Sequence, residues 1–280
     1  MKKVIVLLLA AVLLLSVIGC KKAESKKLTV AMSPDFAPME FVDTSKSGQE
    51  QYVGFDVTLA NFLAKELGME LEIKPMCFDA CMTAVQLGSV DMAISGFSWK
   101  PDRAENFLLS DYYIAGDNET QQSVITVKAK ENTCKTQADF SGWKVGAQAS
   151  SLQEQLVKDE LIPAGAELVV YKSIDDAVLA LQTGKIDALA VAHGNGEAII
   201  ANNPDLAFTG FDFDVDPKYE NNVILLNKSN TEMLEKVNQV LAKAMAAGVY
   251  DGWYEDAKAL AGIPTAAEVS YNDDGTAPAN

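Results

Sequence analysis

Apolar and polar positions along this chain fall into two alternating patterns: short continuous runs, and runs spaced for a helix. Lys27 to Ala31, K-L-T-V-A, reads as a short apolar strand that ends in the turn-like S-P-D-F-A-P. Val53 to Val57 leads into V-T-L-A-N-F-L-A-K-E-L-G, where Leu59, Phe62, Leu63 and Leu67 recur at helical spacing and Gly68 is placed to stop the helix. Glu70 to Lys74 predicts another strand. Asp79 is positioned to cap the helix A-C-M-T-A-V-Q-L-G, which Gly88 ends. Asp91 to Ser95, D-M-A-I-S, has the near-continuous apolar character of a strand buried on both faces. Strand–helix–strand units of this length imply right-handed crossovers and a mainly parallel sheet.

The pattern then repeats. Lys144 to Ala147 is a strand running into the serine-capped helix A-S-S-L-Q-E-Q-L-V, Glu167 to Tyr171 is a strand, and Ser173 or Asp175 caps the next helix before a strand at Ile186 to Val191. A-V-Q-L-G-S-V-D-M-A-I and A-L-Q-T-G-K-I-D-A-L-A share one order: helix, glycine stop, short strand. Two α/β units of one design follow, not a solenoid. A helix from Asn230 to Ala247 and a segment from Gly248 to Asp256, with Trp253 and Tyr254, complete the fold. The tail, residues 263–280, has little to bury and is expected to be disordered.

The N-terminus carries a separate signal. Lys2 and Lys3 precede an unbroken apolar run from Val4 to Leu15, followed by V-I-G-C at Val17 to Cys20. A charged start, an apolar stretch and small residues before a cut site mark a secretory signal, here residues 1–19, and the run is short for a membrane span. The alternative is an uncleaved anchor helix; both place the rest of the chain outside the cytoplasm. Residues 20–27 read as a polar tether whose lysines would lie against anionic headgroups.

Charge narrows the function classes. Without Lys2 and Lys3 the chain keeps 21 basic side chains against 39 acidic ones. That excludes nucleic acid, which needs a basic footprint. It also means that any bound anion is held by local groups in a dry cleft. Besides Cys20, three cysteines remain, Cys77, Cys81 and Cys134, an odd number that cannot pair fully. Cys77 and Cys81 are close enough for one bridge, with two buried free thiols as the alternative. Neither the cysteines nor the single histidine, His193, has a metal-ligand spacing, and no cofactor is implied.

G-F-D-V-T-L-A-N-F-L-A-K-E-L-G, followed by D-A-C-M-T-A-V-Q-L-G-S-V-D-M-A-I-S-G-F-S-W-K-P-D-R-A-E-N-F-L-L-S-D-Y-Y, closely resembles the polar amino-acid family of extracellular solute-binding proteins, from about Leu28 to Leu260. V-I-G-C resembles a lipobox, which makes Cys20 the lipid-modified first residue of the mature protein. The resemblance implies a two-lobed, periplasmic-binding-protein-like α/β fold: two mainly parallel sheets flanked by helices and joined by two hinge strands. Lobe one would be residues 28–115 plus 221–262, and lobe two 116–220. It implies a lipid-anchored monomer on the extracellular face of the membrane. Hinge closure would capture a small carboxylate, an amino acid or a derivative, for an ABC permease.

Site residues follow from the same likeness. Arg103 matches the arginine that grips a ligand carboxylate, a task suited to a guanidinium with parallel donors; the plain alternative is a surface arginine paired with Asp102 or Glu105. Ser95, Gly96 and Ser98 would meet the ligand's amino and carboxylate groups, Gly96 by close backbone approach. Phe36 and Phe78 would sandwich the ligand side chain, with Trp99 a further wall residue. In lobe two the Gln148 to Glu154 loop, with Ser151 and the backbone of Leu152, would present N–H groups to the carboxylate. Ser150 and Ser151 are open to capping, ligand binding or both.

Two positions depart from the family pattern. Leu152 stands where a hydroxyl residue is usual. Ala192 stands where members that bind ordinary amino acids place an aspartate against the ligand's ammonium group, with His193 beside it. A neutral imidazole supplies no fixed negative charge. Glu197 could replace the aspartate, the amino group could be absent or modified, the ligand could be held through its other end, or His193 could be a loop residue. The competing function class is an enzyme on the same fold, dehydratase-like, for which His193 would be the acid or base.

Overall fold

The computed structural model describes residues 26–113, 121–219 and 221–264. The signal, Cys20, most of the tether, the expected lobe crossing at 115/116, Glu220 and most of the tail lie outside these residues.

The first half opens with β1 (Lys27–Met32), whose inward positions are fully buried. A small antiparallel sheet follows, β2 (Asp35–Phe36), β3 (Glu40–Val42) and β4 (Tyr52–Val53). Helix α1 (Phe55–Glu66) buries Phe55, Leu59 and Leu63, one stripe at a spacing of four. Then come β5 (Glu70–Pro75), α2 (Phe78–Gln86), β6 (Met92–Ala93), α3 (Pro101–Asn106) and β7 (Leu108–Leu109).

The second half contains β8 (Gln122–Val127), β9 (Lys144–Gln148), α4 (Leu152–Leu156, continuing as a π-helical turn over Val157–Leu161) and β10 (Glu167–Tyr171). It continues through α5 (Ile174–Gln182), β11 (Ala188–Ala192), α6 (His193–Asn202) and β12 (Leu206–Asp212). The chain then returns to the first lobe as β13 (Leu225–Leu226), α7 (Thr231–Ala247) and α8 (Tyr250–Leu260). Among these helices none is long and apolar enough to cross a membrane.

The two main sheets have one topology. Their strand orders are β5-β1-β6-β13-β7 and β10-β9-β11-β8-β12. In each, the first three strands are parallel and the fourth, β13 or β8, runs antiparallel to both its neighbours. Each sheet has an apolar cluster on either face, as a parallel sheet covered by helices requires. The fold is the two-lobed α/β architecture.

Several local expectations shift. The strand expected over Asp91 to Ser95 is assigned at Met92–Ala93, with backbone bonds to β1 from Asp91 N and Ile94 N on either side, and Gly96 (φ 55°) then turns the chain. The strand expected from Ile186 begins two residues later, at Ala188. Asp79 does not cap α2: Cys77 occupies that position without a side-chain bond, and Asp79 lies in the first turn. Ser173 does cap α5, accepting from Asp175 N at 3.1 Å. The segment after Gly248 is a helix, α8. Cys77 and Cys81 are both free, Cys77 exposed and Cys81 buried.

Candidate functional site

The carboxyl ends of the parallel strands of both sheets face one cavity. Its wall takes Phe36 from beyond β1, Phe78 from beyond β5, and Ser95, Gly96, Ser98 and Arg103 from beyond β6. From lobe two come Gln148 at the end of β9, Ser151 and Leu152 at the start of α4, Ile174 after β10 and the end of β11. This is the crevice that open α/β sheets present, doubled and closed on itself. Contacts between the lobes narrow this cavity: Arg103 Nη2 reaches the Ser150 carbonyl, Asp35 reaches Ile174 N and Asn195 reaches the Ala37 carbonyl. The lobes are thus shut, and an amino acid enters only if they part.

Arg103 organises the wall of lobe one. It sits in α3, is 1 % exposed, and lays its guanidinium over the rings of Phe78 and Phe97, at 5.6 and 5.3 Å from the centroids. Those rings stack on each other at 4.5 Å. Nη1 donates to the Ser98 carbonyl and Nη2 reaches across to the Ser150 carbonyl of lobe two at 2.9 Å. It does not pair with Asp102 or Glu105 as a surface arginine would. Burial lowers its pKa to about 10, so it stays charged at neutral pH. Among the described residues it is the one charged side chain in the cavity wall.

Gly96 is needed twice over: its φ is 55°, and a Cβ there would stand 2.6 Å from Phe36 Cε1. Ser151 caps α4, accepting from Glu154 N at 3.0 Å and donating to the Gln148 carbonyl at 2.8 Å, so its proton is spent within lobe two. Ser150 takes a positive φ of 65° that aims its carbonyl at Arg103. Leu152 closes the wall with an apolar side chain.

His193 is the expected site residue that the fold places elsewhere. The chain turns into α6 directly after Ala192, which sends the imidazole away from the cavity. It stacks on Phe208 at 4.6 Å, and its Nδ1 lies 2.9 Å from Ser123 Oγ. Glu197, one turn on, lies 3.9 Å from its Nε2 rather than in the cavity wall. Trp99 is likewise outside the wall, stacked on Tyr219 at 6.4 Å.

Other residues were not legible from the sequence. Asn195, 1 % exposed, donates to the Ala37 carbonyl at 2.8 Å and leaves Oδ1 buried without a partner, in the wall. Asp35 Oδ2 accepts from Ile174 N at 2.8 Å and Gln148 Nε2 at 3.3 Å, which ties lobe one to the start of α5. Behind Ser95 and Gly96 lie two fully buried carboxyl groups, Glu40 and Asp56. Charges among apolar strands and helices were the only available signal for these two.

The sequence matches the family described as bacterial extracellular solute-binding proteins, family 3, over residues 28–256. It is similar to the arginine-binding extracellular protein ArtP of Bacillus subtilis, 29% identical over 247 residues that cover 86% of this chain and 92% of that protein. Similarity to the histidine-binding periplasmic protein of Salmonella typhimurium is 26% over 81% of this chain and 85% of that one. Among solved structures, the amino acid ABC transporter substrate-binding protein AbpA of Streptococcus pneumoniae, bound to L-arginine, superposes with a TM-score of 0.76 at 34% identity. It covers 85% of this chain and 97% of its own. An ancestral arginine-binding protein bound to glutamine superposes with a TM-score of 0.72 at 32% identity, covering 82% and 96%.

Proposed function

This chain belongs to the bacterial extracellular solute-binding proteins of family 3, and we propose that it captures a free amino acid between its lobes and delivers it to an ABC permease. The observation that carries the reading is Arg103. A buried guanidinium, seated over two rings and lining an interlobe cavity, is suited to receive a carboxylate through parallel hydrogen bonds. Ligand would bind the wall of lobe one first and exchange the Arg103–Ser150 contact for its own contacts with lobe two. Its preference for the shut form shifts the population toward the state a permease recognises. A histidine-binding relative and solved relatives bound to arginine and glutamine support the amino-acid class.

The lobes divide at residues 115/116 and 220/221 in this reading. Residues 1–19 are removed, Cys20 carries lipid, residues 20–27 tether the domain, and the protein works as a monomer on the outer face of the membrane. The ligand-contacting set is Phe36, Phe78, Ser95, Gly96, Ser98, Arg103, Gln148, Ser151 and Leu152, with His193 beside rather than in it. A thermal-shift screen against the twenty amino acids and their deaminated analogues tests the class, since ligand that binds only the folded state raises its melting temperature. Stabilisation by at least one amino acid is expected. Stabilisation by none would overturn the reading. Membrane release of Cys20→Ser tests the anchor.

A further inference from the structure

We infer that the buried Glu40–Asp56 pair supplies the negative charge that receives the protonated amine of the ligand, with Ser95 presenting the contact. This rests on the amino-acid reading above. A zwitterion brings a cation into a wall whose one charged side chain among the described residues is itself a cation, Arg103. An ammonium buried without an anion is costly, and Ala192, Glu197 and His193 provide none in the wall. Asp35 bonds Gln148 and Ile174 of lobe two, whereas Glu40 and Asp56 stand directly behind Ser95 and Gly96 of lobe one.

The hydrogen bonds fix how they act. Ser95 Oγ donates to Glu40 Oε1, and Ser33 N donates to Ser95 Oγ at 3.0 Å. A hydroxyl has one proton and two lone pairs. Ser95 therefore has one lone pair left, and it lines the cavity: it can accept from a ligand amine and cannot donate to a ligand carboxylate. Asp56 Oδ2 accepts from Gly96 N at 2.8 Å and Tyr113 OH at 3.1 Å. The remaining oxygens, Glu40 Oε2 and Asp56 Oδ1, are buried with no donor aimed at them. The two carboxyl groups lie close enough to act on each other electrostatically. With one proton on the pair, it carries one negative charge.

Groups that face the pair are Asp35 and the thiol of Cys81, both on the Glu40 side, and the Tyr113 hydroxyl and Gly96 N–H on the Asp56 side. Burial pushes the Cys81 thiol up, so it stays neutral. Among the described residues, the groups acting most strongly on the pair are acids, hydroxyls and a backbone N–H rather than cations, so its charge is available to the ligand, one hydroxyl away. Burial drives Asp56 up to about 7 and Glu40 well above the carboxylate range, which places loss of the charge within an accessible span of pH.

Calorimetric titration of the full chain with L-glutamine and L-arginine, each beside its deaminated analogue (glutaramate and 5-guanidinopentanoate), tests this between pH 8.5 and 5.5. Affinity for the bound amino acid should fall about 30-fold on acidification, as the pair takes its second proton. Binding near pH 6.5 should release a proton, read from the dependence of the heat on buffer. The preference over the deaminated analogue should shrink in step, and Glu40→Gln/Asp56→Asn should abolish both the pH dependence and the proton release. An affinity that is flat with pH, a constant preference over the analogue, or a pH dependence that survives in the double variant would overturn the proposal. So would a dependence that disappears in His193→Asn, which assigns it to the imidazole. If the double variant does not fold, the comparison with the analogue in the unmodified chain decides. Binding of no amino acid at any pH overturns the amino-acid reading and this proposal with it.

Discussion

The two lobes use one unit to opposite ends. In lobe one, α2 ends at the left-handed Gly88 (φ 66°), and Asp91 then ties the edge of β6 to β1, its Oδ2 accepting from Thr29 N at 2.8 Å. In lobe two, α5 ends at Gly184 (φ 70°), and Asp187 ties the next strand to β9, its Oδ2 accepting from Lys144 N at 3.0 Å. The scaffold is the same, but the walls differ. Lobe one brings Arg103 and, behind Ser95, the Glu40–Asp56 pair. Lobe two brings Leu152, Ile174, the apolar end of β11, a capped serine and neutral amides. Lobe one holds charge because its loops bury it against rigid partners; lobe two contributes shape and a lid. The repeat therefore accounts for architecture and says nothing of chemistry, which the loops after each strand carry.

Four perturbations separate these roles. The largest effect is expected for Arg103→Ala, which should cost on the order of 2–5 kcal/mol of ligand affinity by isothermal titration, because a carboxylate would be left buried without its partner. No lobe-two wall substitution should match it; an equal loss in Leu152→Ala would break the division of labour.

Stability should next show the cost of the buried acids. Their folded pKa values are raised above those of the unfolded chain, so the native state binds more protons than the unfolded one between about pH 4 and 7. The contribution is full below the unfolded values and is lost as pH rises through the folded ones. Urea midpoints should therefore fall as pH is raised from 5 to 8, opposite in sign to the affinity for amino acids. A rising midpoint over that range would contradict the burial argument.

Asp35→Ala removes the carboxylate that joins the lobes at α5 and should weaken ligand binding by about 1.5 kcal/mol. The isolated fold of lobe one should be untouched, which hydrogen exchange of β1 and α1 amides would check. The smallest effects are expected from Gly88→Ala and Gly184→Ala. Each forces an alanine into the left-handed region, and neither Cβ would meet a neighbour. Each should therefore cost about 1 kcal/mol of unfolding free energy. Unequal costs would show that the two units are alike in outline only.

Periodicity and punctuation determined the two α/β units, their glycine stops and their order, because local apolar spacing and positive-φ glycines act within a dozen residues. The motif after β6 also pointed to Arg103, Ser95, Gly96 and Ser98. Short strands and caps were less legible: β6 is assigned over two residues only, and Asp79 lost its capping place to a backbone that starts the helix one residue before it. Only the tertiary structure decided the rest. It turned His193 away from the cavity, brought Asn195 and Asp35 to the lobe contact, and set Glu40 against Asp56. Glu40 and Asp56 are separated by 16 residues and come from different elements, and Asp35 meets its lobe-two partners across more than 100 residues. Their meaning depends on burial beside one another, which no local pattern encodes.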